Sequence, residues 1–392
     1  MTRLMNGSPY WSDRCAALEP YTPGEQPREK RYIKLNTNES PYPPSPKVLE
    51  ALKAAVNGDL RLYPDPTCLA LRETIAKRYG LPGPEWVFVG NGSDEILAFA
   101  FAAFFGPRKQ RGAAPDPVPD PASDPASDPA SGLEPGTRAP LLFPDITYSF
   151  YPVYAELWDI PYRTIPVSDT FEIELDAYRK EASGVVLANP NAPTGRALGK
   201  SVLKELAGFH QQNQQVLLLD EAYVDFGGES MADQVTEFDN LLVVHTLSKS
   251  RSLAGLRVGY ALGHPDLIEG LRRIKDSFNS YTLDRFALSG AQAAIEDRDY
   301  YDAMAARIIA TRERTRSNLE ALGFVVIPSA ANFIFVRHPN RRGAELFQAL
   351  RDRGILVRHW NRDRISEYLR VSIGTDEEME TFVSTCREIV AP

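Results

Sequence analysis

Cysteine is scarce in this chain. Cys15, Cys68 and Cys386 stand far apart in 392 residues, with no CxxC pair, so neither a disulfide framework nor a cysteine-based metal or redox motif is available. The five histidines (His210, His245, His264, His338 and His359) show no HxxH or HExxH spacing, which removes the common zinc-hydrolase patterns; no metal is expected. No apolar run approaches the ~20 residues that cross a bilayer; the longest, Ile96 to Phe105, reads as a buried helix. The opening residues are polar, aromatic and charged, unlike a secretory leader, and the sparse cysteines fit a reducing compartment, so the expected location is the cytoplasm. Positive charge is also short. Forty-four Lys and Arg against 52 Asp and Glu give a net charge of -8, which disfavours nucleic acid or an anionic membrane as a partner of the average field.

What is present is an ordinary globular composition, 43% hydrophobic and 24% charged, in a chain longer than one compact core usually holds. The expectation is a large domain with a smaller one. Residues 1–45 are rich in Pro, Tyr and Asn and read as an irregular arm. Residues 46–57 and 67–79 read as helices, the first burying Val48, Leu49, Leu52 and Val56, the second capped by Thr67. Apolar runs at 86–90, 141–143, 184–189, 215–223, 241–248 and 257–263 then alternate with helical segments. Strands without polar alternation, separated by helices, indicate a parallel sheet covered on both faces, so residues 46–285 form an α/β domain. Residues 286–392 contain a long amphipathic helix at 300–323 and continue with alternating strands at 324–329, 332–337, 355–358 and 368–374, the pattern of a smaller α+β domain. Residues 110–138, with PASD repeated, lack any apolar face and read as a surface insertion.

Ligands of an open parallel sheet collect at the carboxyl ends of its strands. Polar residues cluster there five times: Asn91 to Asp94, Asp145 to Tyr148, Asn189 to Thr194, Asp220 with Tyr223, and Ser248 with Lys249. Each cluster alone is also what a strand needs to turn; five on one edge point to a site. A lysine at such an edge is either solvated or able to form a Schiff base with an aldehyde cofactor. The second reading needs a carboxylate for a ring nitrogen, and Asp220 follows three buried-type leucines. It needs donors for a phosphate, and Gly92-Ser93-Asp94 precedes a helix. It needs a cation, and Arg257 lies eight residues beyond Lys249.

With these residues in view, the chain resembles the fold-type-I, class-II pyridoxal-phosphate-dependent aminotransferases, and within them the histidinol-phosphate branch. The resemblance rests on HTLSKSRSLAGLRVGY (245–260), LLLDEAYVDF (217–226), LNTNESPYPP (35–44), YPDP (63–66), GNGSDEI (90–96), FPDITYSFY (143–151) and NPNAPTG (189–195). LEPYTPG (18–24), NFIFVR (332–337), ILVR (355–358) and LRVSIGT (369–375) extend it over nearly the whole chain. It implies a mostly parallel central sheet with a smaller α+β domain, and pyridoxal 5'-phosphate as cofactor. It implies that Lys249 links to the cofactor and moves a proton, that Asp220 keeps the ring nitrogen protonated, that Tyr223 donates to the ring oxygen O3' and that Tyr148 stacks on the ring. The backbone of Ser93 and Asp94, with Ser248 and Arg257, would hold the phosphate. Tyr63 would reach the phosphate site of a partner subunit, so a homodimer is implied. Arg370 would take the carboxylate of glutamate or 2-oxoglutarate, with Tyr21, Asn38, Asn332 and Arg358 as further substrate-side candidates. One departure stands out. The family often has asparagine directly before Pro-Thr-Gly, in contact with O3'; here that residue is Ala192, and Asn191 or Asn189 is the expected replacement.

The activity so implied is amino transfer between glutamate and imidazole-acetol phosphate, giving 2-oxoglutarate and histidinol phosphate, a step of histidine biosynthesis. Aromatic or broad amino-acid aminotransferases and threonine-phosphate decarboxylase share most of these residues and remain as alternatives. A non-catalytic binding protein of the same fold is disfavoured by the complete set Lys249, Asp220, Tyr223 and Arg257.

Overall fold

A computed structural model describes residues 10–19, 25, 32–106 and 139–391. The insertion at 110–138 and the candidate Tyr21 lie outside the described residues. Strand β1 (Ile33–Lys34) belongs to the arm. Seven strands make the central sheet: β2 (Val87–Gly90), β3 (Leu141–Pro144), β4 (Tyr162–Ile165), β5 (Gly184–Ala188), β6 (Val216–Asp220), β7 (Leu241–Thr246) and β8 (Gly259–Gly263). Their spatial order is β2-β8-β7-β6-β5-β3-β4. Strands β5, β6, β7 and β8 are buried along their whole length, because helices cover both faces and leave no solvent side to alternate with. The sheet is parallel except for β8, which runs antiparallel to both β7 and β2. The sheet is thus mostly parallel, as expected; which strand is reversed could not be read from the sequence, since an apolar run carries no sign of its direction. The reversal also positions the site. The loop 247–258, with Lys249 and Arg257, turns back at the carboxyl end of β7, and the same edge holds the carboxyl ends of β2, β3, β5 and β6.

The smaller sheet comprises β9 (Val325–Ile327), β10 (Phe333–Arg337), β12 (Arg358–His359) and β13 (Leu369–Ser372), all antiparallel in the order β12-β13-β10-β9. Between them β11 (Ile355–Leu356) pairs in parallel with β1. The described part of the arm at Ile33–Leu35 is therefore joined to the carboxyl-terminal part of the chain, and Leu35 is buried among Ile334, Val371 and Ile373. The helix Arg285–Glu296 packs against the helices Pro46–Ala54 and Leu69–Tyr79.

Some local expectations shift. The helix from Leu69 is capped by Asp65, whose carboxylate accepts from the Leu69 and Thr67 amides at 2.8 and 2.9 Å, and not by the Thr67 side chain. In Pro46–Ala54 only Val48 is buried, while Leu49 and, just beyond the helix, Val56 face outward. The apolar helix after β2 runs Gly92–Ala100 and widens into a π turn over Phe101–Phe105. Among the described residues no helix is long and apolar enough to cross a membrane.

Candidate active site

Two adjoining cavities open at the carboxyl edge of the central sheet and share Thr37, Tyr148, Ala192, Tyr223 and Lys249 as walls. The inner one is completed by Ser93, Asp94, Asp220, Thr246, Ser248 and Arg257. The outer one is completed by Asn36, Asn38, Thr147, Arg358, Trp360, Arg362 and Arg370. Lys249 thus stands where the two meet. Its Nζ donates to the Thr37 carbonyl at 3.3 Å and lies 5.8 Å from the centre of the Tyr223 ring.

The inner cavity has an acidic floor and a basic end. Asp220 is the last residue of β6 and is 5% exposed. Tyr151 donates to its Oδ2 at 3.1 Å and the Ala222 amide to its Oδ1 at 3.2 Å. Burial outweighs both bonds and pushes its pKa up to about 6. At the other end Arg257 adopts a left-handed backbone, φ 54°, and points its guanidinium at Asp94, 3.0 Å away, and Ser248 Oγ, 3.4 Å away. The helix beginning at Gly92 presents its first amides there. Gly92 is at φ 79°, and a β-carbon on it would lie 2.6 Å from Arg257 Nη2; one on Gly259 would lie 2.6 Å from the Ser93 amide nitrogen. Both glycines keep this concavity clear. Between floor and basic end, Tyr148 donates to Asp94 Oδ1 at 2.7 Å, and burial, reinforced by the Asp94 charge, raises its phenol well above the usual range.

The outer cavity is lined by arginine. Arg358 and Arg370 are directly opposite in the β12–β13 ladder, with Trp360 within 5.5 and 5.4 Å of the two guanidinium carbons. Arg370 also donates to the Asn36 carbonyl at 2.9 Å and lies over Phe333. Arg362 donates to the Asp145 carbonyl at 2.8 Å, and Arg364 to the Asp145 carboxylate at 2.8 Å. These bonds fasten the loop after β12 to the mouth of the cleft.

Several expected residues are placed elsewhere. Asn191 is fully buried in its turn and lines neither cavity: its amide donates to the Ile146 carbonyl at 2.9 Å and its Oδ1 accepts from Thr147. Asn189 is tied to both backbone groups of Leu198. Neither amide takes over the place facing the cleft that Ala192 leaves apolar, because both are bonded to neighbouring segments. Asn332 is buried and donates to the Asn38 carbonyl at 3.0 Å rather than to the cavity. Tyr63 is 79% exposed, stacked on Tyr281 at 4.7 Å, outside both cavities. Sequence reasoning missed Tyr151, Trp360 and Arg362. The first two carry no local signal beyond an aromatic among aromatics, and Arg362 sits in a run of charged residues typical of any surface loop.

The residues of the inner cavity fit a phosphorylated, cationic aromatic cofactor. Asp220 has no Lys or Arg partner among the described residues, so a protonated ring nitrogen would supply the countercharge that a buried carboxylate needs. The glycine-cleared concavity at Arg257 and the helix start suits a phosphate.

Comparison with known proteins agrees. The family model described as aminotransferase class I and II matches residues 30–118 and 130–385. The chain is 50% identical to a histidinol-phosphate aminotransferase of Clostridium beijerinckii, covering 98% of each chain. It is also 50% identical to one from Acetobacter pasteurianus, again over 98% of each. The solved histidinol-phosphate aminotransferase of Sinorhizobium meliloti in complex with pyridoxal-5'-phosphate superposes with a TM-score of 0.79, at 23% identity and 99% coverage of both chains. An aspartate aminotransferase mutant from Thermus thermophilus superposes at 0.77 with 18% identity, covering 97% of this chain and 100% of that one. At such identities these structures bear on the fold, and the fold is that of type-I enzymes dependent on pyridoxal phosphate. Matched over most of its length and half identical to the relatives named, the chain belongs to the class I and II aminotransferases and, within them, to the histidinol-phosphate aminotransferases, whose cofactor is pyridoxal 5'-phosphate.

Proposed function

We propose that the cleft transfers an amino group between glutamate and imidazole-acetol phosphate, as a step of histidine biosynthesis in the cytoplasm, in a chain divided into an arm (1–45), a large domain and a small domain. The observation that carries this reading is the position of Lys249 at the junction of a phosphate-type cavity and an arginine-lined one. Pyridoxal phosphate, when bound, supplies an electron sink that stabilises negative charge at the substrate Cα. Lys249 would bring the primary amine that links to it and would hold or move a proton at that carbon. Asp220 holds the proton on the ring nitrogen, which its buried setting favours only while a cation faces it. Tyr148 covers one face of the ring, and Tyr223 directs its phenol at the ring oxygen. The backbone amides of Ser93 and Asp94, with Ser248 and Arg257, would hold the phosphate end.

The outer cavity has to accept two unlike amino donors. Glutamate brings carboxylates and histidinol phosphate brings a phosphate ester, so the shared feature is an anion remote from the amine. Like charges directly opposite in an antiparallel ladder are unfavourable; an anion between Arg358 and Arg370 removes that repulsion, and guanidinium forks bind either anion in bidentate fashion. Tyr63, Leu60, Leu62, Leu69, Phe278 and Tyr281 are all exposed, which supports a homodimer whose partner surface covers them and whose sites receive Tyr63 from across the interface.

The test compares histidinol phosphate, phenylalanine and threonine phosphate in steady-state assays with product identification. The reading expects histidinol phosphate to have the highest kcat/KM and to yield the ketone. Preference for phenylalanine would make it an aromatic aminotransferase, and release of carbon dioxide from threonine phosphate a decarboxylase. Lys249→Ala should abolish both transfer and the visible absorbance of the bound cofactor.

A further inference from the structure

The phenol of Tyr223 has a partner from an unexpected part of the chain. Asn38, in the arm, donates from Nδ2 to Tyr223 Oη at 3.0 Å. The turn 189–195 offers no such donor, since Ala192 is the residue of that turn facing Tyr223 while the amide of Asn189 bonds Leu198 and that of Asn191 bonds Ile146 and Thr194.

The direction of this bond is set by a third residue. Ser372 Oγ accepts the Asn38 backbone N–H at 2.8 Å and donates its own proton to Asn38 Oδ1 at 2.9 Å. With the Ser372 hydroxyl proton given to Oδ1, Nδ2 is turned toward Tyr223. The Tyr223 oxygen therefore receives a proton from the amide, and its own proton must point away, into the cleft. The backbone is committed to the same end. Asn38 is 1% exposed and sits at φ 55°, a conformation that asparagine tolerates better than other side chains, and its carbonyl is held by Asn332 Nδ2 at 3.0 Å.

We infer that Asn38 is a positioning residue, oriented by Ser372, that fixes Tyr223 as a hydrogen-bond donor toward the cofactor's ring oxygen. Ser372 lies two residues beyond Arg370 on β13, and side chains two apart share a face of a strand. The strand that carries the substrate-side arginine thus also sets the donor on the cofactor. The inference rests on the reading above, in which Tyr223 meets the ring oxygen of pyridoxal phosphate.

A donor on that oxygen favours the form of the bound cofactor with more negative charge there, so weakening it moves the pH midpoint of the visible band upward. The experiment titrates this band in the holoenzyme of wild type, Asn38→Gly, Ser372→Ala, Tyr223→Phe and the double variant Asn38→Gly/Tyr223→Phe. Glycine removes the amide and accepts the left-handed backbone without strain. The expected result is an upward shift of about half to one pH unit for Asn38→Gly, the size of one ordinary hydrogen bond, and a smaller upward shift for Ser372→Ala. On the Tyr223→Phe background, Asn38→Gly should add nothing, because its effect passes through the phenol. An unchanged midpoint in a folded Asn38→Gly protein overturns the inference, as does a shift that simply adds to that of Tyr223→Phe. If Asn38→Gly does not fold, Ser372→Ala decides, and an unshifted band then rejects the relay. If wild type itself gives no visible band with pyridoxal phosphate, the cofactor reading fails and takes this inference with it, an outcome distinct from a band that forms but does not shift.

Discussion

Tyr151 and Asp220 form a buried pair in which the phenol donates to Oδ2 of the carboxylate at 3.1 Å. The bond lowers the Asp220 pKa against the burial that raises it. Tyr151→Phe removes a donor that favours the ionised form, so the carboxylate becomes a poorer partner for a protonated ring. Affinity for pyridoxal phosphate should fall about fivefold to tenfold, on the scale of one hydrogen bond of about 1 kcal/mol. Titration of the apo-protein with cofactor measures it; an unchanged Kd would show that the pair is structural only.

Asp220 itself makes apo-protein stability depend on pH. Its folded pKa, about 6, lies above the usual 3.8, so the folded state binds the proton more tightly than the unfolded one. Its favourable contribution is fully present below about pH 4 and is lost as pH rises through about 6. Asp220→Asn, which keeps the shape without the charge, should therefore match wild type near pH 4 and exceed it above pH 7, by roughly 3 kcal/mol at most. The same variant should bind cofactor weakly. Apo melting temperatures at the two pH values check the sign, and equal differences at both would reject it.

The paired guanidiniums predict a split between substrates. Arg370→Ala should reduce kcat/KM with glutamate by roughly tenfold to a hundredfold, the loss of one charge-assisted contact of about 1.5–3 kcal/mol, while leaving the cofactor band in place. Arg358→Ala should weigh more on histidinol phosphate, whose larger anion needs both forks. Single-turnover kinetics with each substrate separates the two. Identical losses for both substrates in both variants would mean that the arginines act as one undivided charge.

Exposure of Tyr63 gives a test of shared sites. Lys249→Ala and Tyr63→Ala proteins should each be impaired alone. After mixing and subunit exchange, a hybrid dimer has one site with an intact Lys249 and a partner's intact Tyr63, so activity should return. Exchange verified by mass without recovered activity would confine Tyr63 to a structural role.

How much of this was legible in advance varied with the kind of signal. Strands β5, β6 and β7 announce themselves as unbroken apolar runs, and the residues just past them, Asp220 and Lys249, fall in one cleft because parallel strands share an edge. The reversal of β8 leaves no such mark; direction is decided by which connection can be closed, not by the strand's own residues. Asn191 shows the limit from the other side. An amide in a tight turn can serve the turn or a ligand, and only the closed backbone shows that Ile146 and Thr147 have taken it. Trp360 acquires meaning only when folding brings Arg358 and Arg370 opposite each other.

The stitching of the arm to the far end of the chain also governs when the enzyme can exist at all. Asn38 meets Ser372 across 334 positions, and the Thr37 carbonyl between them and Lys249 holds the lysine's Nζ. The residues around Asn38 are made well before β13, and their contact waits for that strand. Contacts this remote close late and slowly. A chain without β13 would carry Lys249, Asp220 and Arg257 on the central sheet, yet its cleft would lack the wall that Arg370 supplies and the hydroxyl of Ser372 that holds Asn38.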